Sequence, residues 1–518
     1  MSESDKLLSY ETAKEMFEEF AAWMPEPGQP MPVYDEETGR YTNKSIERWM
    51  RWYADGLIYG VKVPKYDYDP TTEAIKTHAN AGLVLEMSSP EVAGRNDYLG
   101  KLLFFCPRVN GGVDAGGMPY VTAIEGLDER FSATDANTWA LTPVYYVRYV
   151  DIPSAEDPGV IAYVDQQFCD SPREGFVACA GAKLPDGTPR PYILRACYMD
   201  SCEEMVHQWT SKSGTVPACA WTQANFSDYG RYYPKLVNEL VKERQDGLGY
   251  TMPGDFTYMI EFLQLMRGVK APFKDIYPIT GRTYTKVLET DYEGERVRCQ
   301  YGLPCGLDVA VGSATSFNSA AGRSRNERAK VTSVEYASDE EAQYGGECWI
   351  TLSADDLAIP LVGNYIWLLW QPNGILDGVQ GTFGAYTLDN VQGFPLPYRF
   401  QNIEFGLGVH ELVPGMTCAG YAFNYLSSIG KMASGFVKDF KRLHGAVFPA
   451  EVGATSTTGT EFENESTNSS SNEKVVVHSS ISNRNQTYGG IRANGSMLSS
   501  NDCTGGRLSS IWYSAPAE

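Results

Sequence analysis

Apolar positions along the chain follow two different periods, and the change between them outlines the organisation. Residues 9–24 place Met16, Phe17, Phe20, Trp23 and Met24 on one helical face, and the proline-rich "PEPGQPMP" ends that pattern. A second helix is predicted after Asn43, with Ile46, Trp49, Met50 and Tyr53 on one side and Gly56 as its stop. From "LIYGVKV" onward the texture turns to short β-like runs, among them "LVLEM", "KLLFF", "TPVYYVRYV", "VIAYV" and "PYILRACYM", divided by Gly, Pro, Asp and Asn. Two helices interrupt them. One opens at Pro234 with Leu236, Val237, Leu240 and Val241 along a face and Gly247 beyond its end; the other opens near Asp255 with Phe256, Met259, Ile260, Leu263 and Met266.

After Gly268 the β texture returns. "AKVTSVEYA", "CWITL" and "NYIWLLW" suggest a small β unit inserted at 306–374, and "TSTTGTEFENESTNSSSNEK" reads as a low-complexity loop ahead of "VVVHSSI". The closing stretch "RNQTYGGIRANGSMLSSNDCTGGRLSSIWY" mixes loop-forming Asn, Ser and Gly with Ile491, Met497, Leu498, Leu508, Ile511 and Trp512. A solvated tail has no use for those apolar residues. The expected division is a helical segment at 1–56 for attachment or oligomerisation, a β-rich region at 57–134, a main domain at 135–305 and 375–518, and the insert at 306–374. The apolar faces of the N-terminal helices would pack either on the body or on another copy.

Composition narrows the function classes. A net charge of −22 argues against nucleic acid or an anionic membrane as partner, because each requires a basic face. The first twenty residues lack a basic stretch followed by an apolar one, so no signal peptide is expected, and no apolar run is long enough to insert in a membrane. The 11 cysteines contain no CxxC pair and read as reduced, mostly buried thiols; zinc is not expected. The 33 tyrosines suit contact surfaces, since Tyr offers area at low entropic cost.

Motifs for chemistry are sparse. No phosphate-binding loop, nucleophile elbow or zinc-protease helix is present. His410, His444 and His478 are isolated, and Asp339, Glu340 and Glu341 read as a solvated run. "WQPNG" (Trp370 to Gly374) is similar to a calcium-lectin loop, but "SNDC" lacks the Trp that should precede its Asn-Asp pair, so a turn is the simpler reading. Neither cofactor nor metal is expected.

Several landmarks fall in a recognisable order: "LIYGVKVPKYDYDPTTEAI", "TPVYYVRYVDI", "DSPREGF", "RPYILRACYMD", "DFTYMIEFLQLMRGV", "PLPYRFQNIEFGLG" and "YGGIRANGSMLSSNDCTGGRLSSIW". Together, over residues 57–513, they resemble a large group of bacteriophage tail proteins. That group ends in a C-type-lectin fold of the formylglycine-generating-enzyme type, shared with the variable proteins of diversity-generating retroelements. In "PLPYRFQNIEFGLG", Phe405 and Gly406 stand where that group usually has a Trp, and the first 56 residues carry no part of the resemblance.

The resemblance implies an α+β fold, C-type-lectin-like, in a virion tail protein made in a bacterial cytoplasm. It implies a non-enzymatic adhesin whose partners are a host surface receptor, glycan or protein, and other tail proteins, assembled as a homotrimer. The polar residues before Trp512 would then form the ligand face: Asn483, Arg484, Asn485, Gln486, Tyr488, Arg492, Asn494, Ser496, Ser499, Ser500 and Asn501. The alternatives are a purely structural tail or baseplate component and a glycan-active tail enzyme. The enzymes of the same fold need paired cysteines or an iron-binding His cluster, and Cys503 stands alone in the last segment.

Overall fold

The computed structural model describes residues 28–65, 73–114, 117–179, 181–184, 186–199, 201–203, 208–215, 255–270, 284–293, 295–303, 305–312, 328–338, 346–353, 360, 362–368, 371–385, 398–405, 409–411, 435–443, 446–454, 460–464, 475–478 and 489–494. The helical faces predicted at 9–24 and from Pro234 lie outside them. Within them the chain is built from sheets whose strand pairs are antiparallel except for Thr460–Asn464 with Gly489–Asn494, which run parallel, and α-helix is confined to α1 (Asn43–Arg51) and α2 (Asp255–Arg267). This corrects the α+β, C-type-lectin-like expectation: the protein is mostly β. The many short apolar runs pair with one another, and the described helices serve as packing pieces between sheets.

One six-stranded sheet runs in the order Tyr34–Asp35, Arg40–Tyr41, Pro119–Ile124, Arg108–Val113, Thr138–Thr142 and Ile193–Ala196. A five-stranded sheet follows the order Val177–Ala178, Tyr146–Pro153, Ile161–Cys169, Tyr59–Pro64 and Ile75–His78. Helix α1 keeps its predicted face, with Ile46, Trp49 and Met50 buried. Its cover comes from this chain: the Trp49 ring meets Phe105 edge-on at 4.8 Å. The face of α1 is thereby unavailable for contacts between copies. The helix ends at Arg51 with Trp52 as its C-cap, ahead of the Gly56 expected to stop it; Gly56, at φ 65°, turns the loop that follows.

Helix α2 is buried on every side, not on one stripe. Tyr258, Met259, Ile260, Phe262, Leu263, Leu265 and Met266 are all buried, and so are Glu261 and Gln264. The polar pair survives burial because each finds partners. Glu261 accepts from the hydroxyls of Tyr149 and Tyr145, and the Gln264 amide accepts from Gln166 Nε2 (3.0 Å) and donates to the Lys270 carbonyl (3.0 Å). The carbonyls left open at the C-terminal end of α2 are capped from other strands. Lys76 Nζ donates to Met266 O at 2.6 Å, Tyr98 OH reaches the same oxygen at 3.1 Å, and Asn80 Nδ2 donates to Leu265 O at 2.7 Å. A cation at that end also complements the helix dipole. Phe104 joins α2 to both neighbours, lying edge-on to Tyr59, Tyr98 and Phe262.

Two β predictions are corrected here. "KLLFF" forms a 3-10 turn at Leu102–Phe104 with all three side chains buried, and "LVLEM" makes an isolated bridge at Leu85. In the first, full burial removes the alternation that distinguishes a strand from other buried segments; in the second, Leu85 alone of residues 83–87 is buried, so one anchor and not an apolar face holds it.

Beyond α2 the chain closes a six-stranded barrel in the order Tyr284–Asp291, Arg296–Cys299, Cys348–Ser353, Arg328–Tyr336, Asp308–Gly312 and Tyr365–Leu368. Its first two strands precede the 306–374 span read from the sequence, because closure needs all six. Val287, Val297, Val309, Val331, Ile350 and Ile366 are buried, while ion pairs Arg296–Glu335 (2.8 Å) and Arg298–Glu289 (3.0 Å) lie outside.

The chain then forms a three-stranded sheet of Phe383–Ala385, Tyr398–Phe400 and Ile403–Phe405. A last six-stranded sheet runs Val409–Glu411, Val475–His478, Gly489–Asn494, Thr460–Asn464, Gly435–Leu443 and Ala446–Gly453. Thr460–Asn464 falls inside the stretch read as a low-complexity loop, which is a further correction.

Candidate functional site

A buried charged cluster sits where the hairpin Tyr398–Phe405 meets the turn after Gln371. The hairpin is closed by Gln401 and Asn402 at φ 50° and 62°, a two-residue turn with both residues left-handed, which matches the twist of its strands. Its loop is held down: Asn402 Nδ2 donates to Cys106 O at 2.8 Å, and the Cys106 thiol donates to Gln401 Oε1 at 2.8 Å. The hairpin carries Arg399 and Glu404 into the interior, both buried.

Glu404 accepts the backbone N–H groups of Gly374 (3.0 Å) and Leu376 (3.2 Å). Three residues on, Asp377 receives Tyr198 OH (2.7 Å), Arg108 Nη1 (2.7 Å) and Ser213 Oγ (2.6 Å). The other edge of the Arg108 guanidinium engages Glu125, with Nε at 2.7 Å from Oε2. Arg399 Nη2 donates to the carbonyls of Val379 and Gly381. Four chain segments distant in sequence are tied together by this network.

Electrostatics divide its members. Burial, and then the Asp377 charge, push the Glu404 carboxyl up to about 7, against the opposing pull of the Leu376 and Gly374 amides and Arg399. Burial is also the main force pushing the Tyr198 hydroxyl well above its usual range and the Arg399 guanidinium below its own. Burial works against the Arg108 charge too, but the Glu125 bond and charge, with Tyr198 and Asp377, together outweigh it and leave that group raised.

The network can hold a proton at neutral pH on a fully enclosed carboxyl. It is poorly placed to pass that proton to a substrate: Glu404 is buried, and both Asp377 oxygens are engaged by donors of the chain itself. General acid–base work needs the group within hydrogen-bond reach of the reacting atom.

The predicted residues fall as follows. Arg492 and Asn494 lie on the strand Gly489–Asn494, flanked by Val475–His478 and Thr460–Asn464. Arg492 stands opposite Val477 on one side and Glu463 on the other, so this part of the expected loop face is sheet backbone paired on both edges. Asn483, Arg484, Asn485, Gln486, Tyr488, Ser496, Ser499, Ser500, Asn501 and Trp512 lie outside the described residues. In "WQPNG", Asn373 Nδ2 donates to Met199 O (2.7 Å), and the Gln371 side chain bonds the Asp308 backbone at both N and O. These amides lock the exit from the barrel. Among the described residues no group of three His, Cys, Asp or Glu is arranged to hold a metal ion.

Tyr198, Arg399 and Glu404 lie in segments that carry the resemblance, but no motif among those segments marks the three residues. The available signal was a charge in each arm of a short apolar hairpin, "YRFQNIEF". No protein-family model, curated protein or solved structure matches the chain.

Proposed function

We propose that this chain is a bacteriophage tail component that recognises the host surface without catalysis. The supporting observation is where the motifs that resemble tail proteins come together. The strand Tyr59–Pro64 pairs with Ile161–Cys169, which pairs with Tyr146–Pro153, and "DSPREGF" is the turn that leaves that hairpin. Helix α2 packs on this sheet, and Tyr398 of the hairpin donates to Met259 Sδ of α2 at 2.9 Å. Segments spread over more than three hundred residues thus share one core. The saturated Asp377–Glu404 network favours recognition over turnover.

The test is to apply purified full-length protein to a panel of intact bacteria and measure adhesion and release of surface polysaccharide fragments in the same samples. Adhesion to some strains without fragments is the expected result. Fragment release would replace the proposal with a glycan-active tail enzyme. Failure to adhere to strains on which the parent phage grows would replace it with a purely structural tail component.

A further inference from the structure

The barrel contains a cysteine pair that its strand register places face to face. Cys299 ends the strand Arg296–Cys299, Cys348 begins the strand Cys348–Ser353, and the two are direct antiparallel partners. Directly opposed residues in such a ladder have Cα atoms about 4.5 or about 5.5 Å apart. Both spacings lie within the roughly 4.4–6.8 Å window that a disulfide requires. Both side chains are buried, as are Val297 and Ile350, the residues two positions along each strand, so the two thiols share the barrel interior. Both are free thiols in the structure.

Their position at the strand ends puts them near the rim. Cys305, in the connection that follows Cys299, is exposed. Tyr336, the partner of Cys348 on its other side, is only partly buried.

We propose that Cys299 and Cys348 are an oxidisable pair that forms a cross-strand disulfide, with a small-molecule disulfide as the oxidant. One cysteine thiolate attacks a sulfur of the oxidant, its S–S bond breaks, and one thiol leaves with a proton. The second cysteine then attacks the protein sulfur of that mixed disulfide, and the second small thiol leaves. The protein loses two protons and two electrons, and the oxidant gains them to become two thiols. Burial raises both thiols, Cys348 to about 12, so little thiolate is present and the exchange is slow in a reducing cytosol. The link pins two adjacent barrel strands once the protein meets an oxidising medium. This inference stands apart from the tail-protein reading.

The test uses the reduced full-length protein, incubated natively with oxidised glutathione at mildly alkaline pH, acid-quenched, alkylated and mapped by mass spectrometry. The expected product is a peptide pair joined through Cys299 and Cys348, lighter than the reduced pair by two hydrogens. The wild-type map decides the matter without any variant, and Cys305 serves as the reagent control because its thiol is exposed. Glutathione on Cys305 with Cys299 and Cys348 both alkylated would overturn the proposal, and so would either cysteine joined to a different partner. Cys305→Ser should leave the joined pair in place; its disappearance there would also overturn the direct pairing.

Discussion

Replacing Glu404 with Gln should change how local stability depends on pH. In the folded chain the Glu404 carboxyl lies at about 7, against an ordinary value of 4.5 for the open chain. A raised carboxyl means the folded state holds its proton more tightly than the unfolded state does. Its contribution is therefore fully present below pH 4.5 and lost as pH rises through 7. At about 1.4 kcal/mol per pH unit, that difference is worth about 3 kcal/mol. Gln keeps one acceptor oxygen for the Gly374 and Leu376 amides, loses the other and cannot titrate. The variant should then be destabilised by about 1–3 kcal/mol at low pH, for one unsatisfied buried donor. The deficit should shrink, or reverse, as pH rises from 4.5 to about 7 and level off above it, because over that window the parent's unfolded state has lost a proton that its folded state still holds. Hydrogen exchange by mass spectrometry over 371–385 and 398–405 reads local opening, and parent and variant compared at each pH cancel the intrinsic rate. A constant difference between them from below pH 4.5 to above 7 would refute the reasoning. So would the absence of a protonated-carboxyl infrared band that the variant lacks.

Trp49→Ala should destabilise the N-terminal sheet by about 3–5 kcal/mol, because the indole is fully buried against Phe105; the unfolding midpoint checks this. Gly111→Ala should cost about 1–3 kcal/mol, since its new Cβ would lie 2.1 Å from the Tyr120 carbonyl oxygen, and backbone yields less than a side chain; Gly378→Ala, where a Cβ meets no atom and φ is ordinary, is the control, and the unfolding midpoints of the two are compared. Lys76→Met should loosen the C-terminal turn of α2, seen as faster exchange at 263–268. Burial lowers the Lys76 amine to about 8, so the folded state releases this proton first and its charge penalty is relieved as pH rises from 8 towards 10.5; the Met variant should lose that rise in stability.

Much of the local structure was readable from residue order. The buried faces of α1 and α2 were visible as Ile46, Trp49 and Met50 and as Met259, Ile260, Leu263 and Met266, and most of the short apolar runs did become strands. What misled was burial from several sides. Leu102, Leu103 and Phe104 show no alternation because all three are enclosed, and Tyr258, Phe262 and Leu265 fill the flank of α2 that an amphipathic reading leaves to solvent. The candidate site was less legible: Arg108, Tyr198, Ser213, Asp377 and Glu404 are far apart along the chain, and no spacing rule links them.

The sequence by itself determined which segments extend, which coil and which residues seek the interior, because backbone propensity and hydrophobic period act over a few neighbours. It determined also that the chain is acidic and holds 11 cysteines without a CxxC pair. Only the tertiary structure decided that β pairing dominates, that six strands from 284 to 368 close on one another, and that Cys299 faces Cys348. Those outcomes depend on register and closure between residues tens of positions apart, where a shift of one residue would turn every side chain to the other face. The same holds for Glu404. Its proton affinity comes from burial and from Asp377, a neighbour that folding supplies and residue order alone does not.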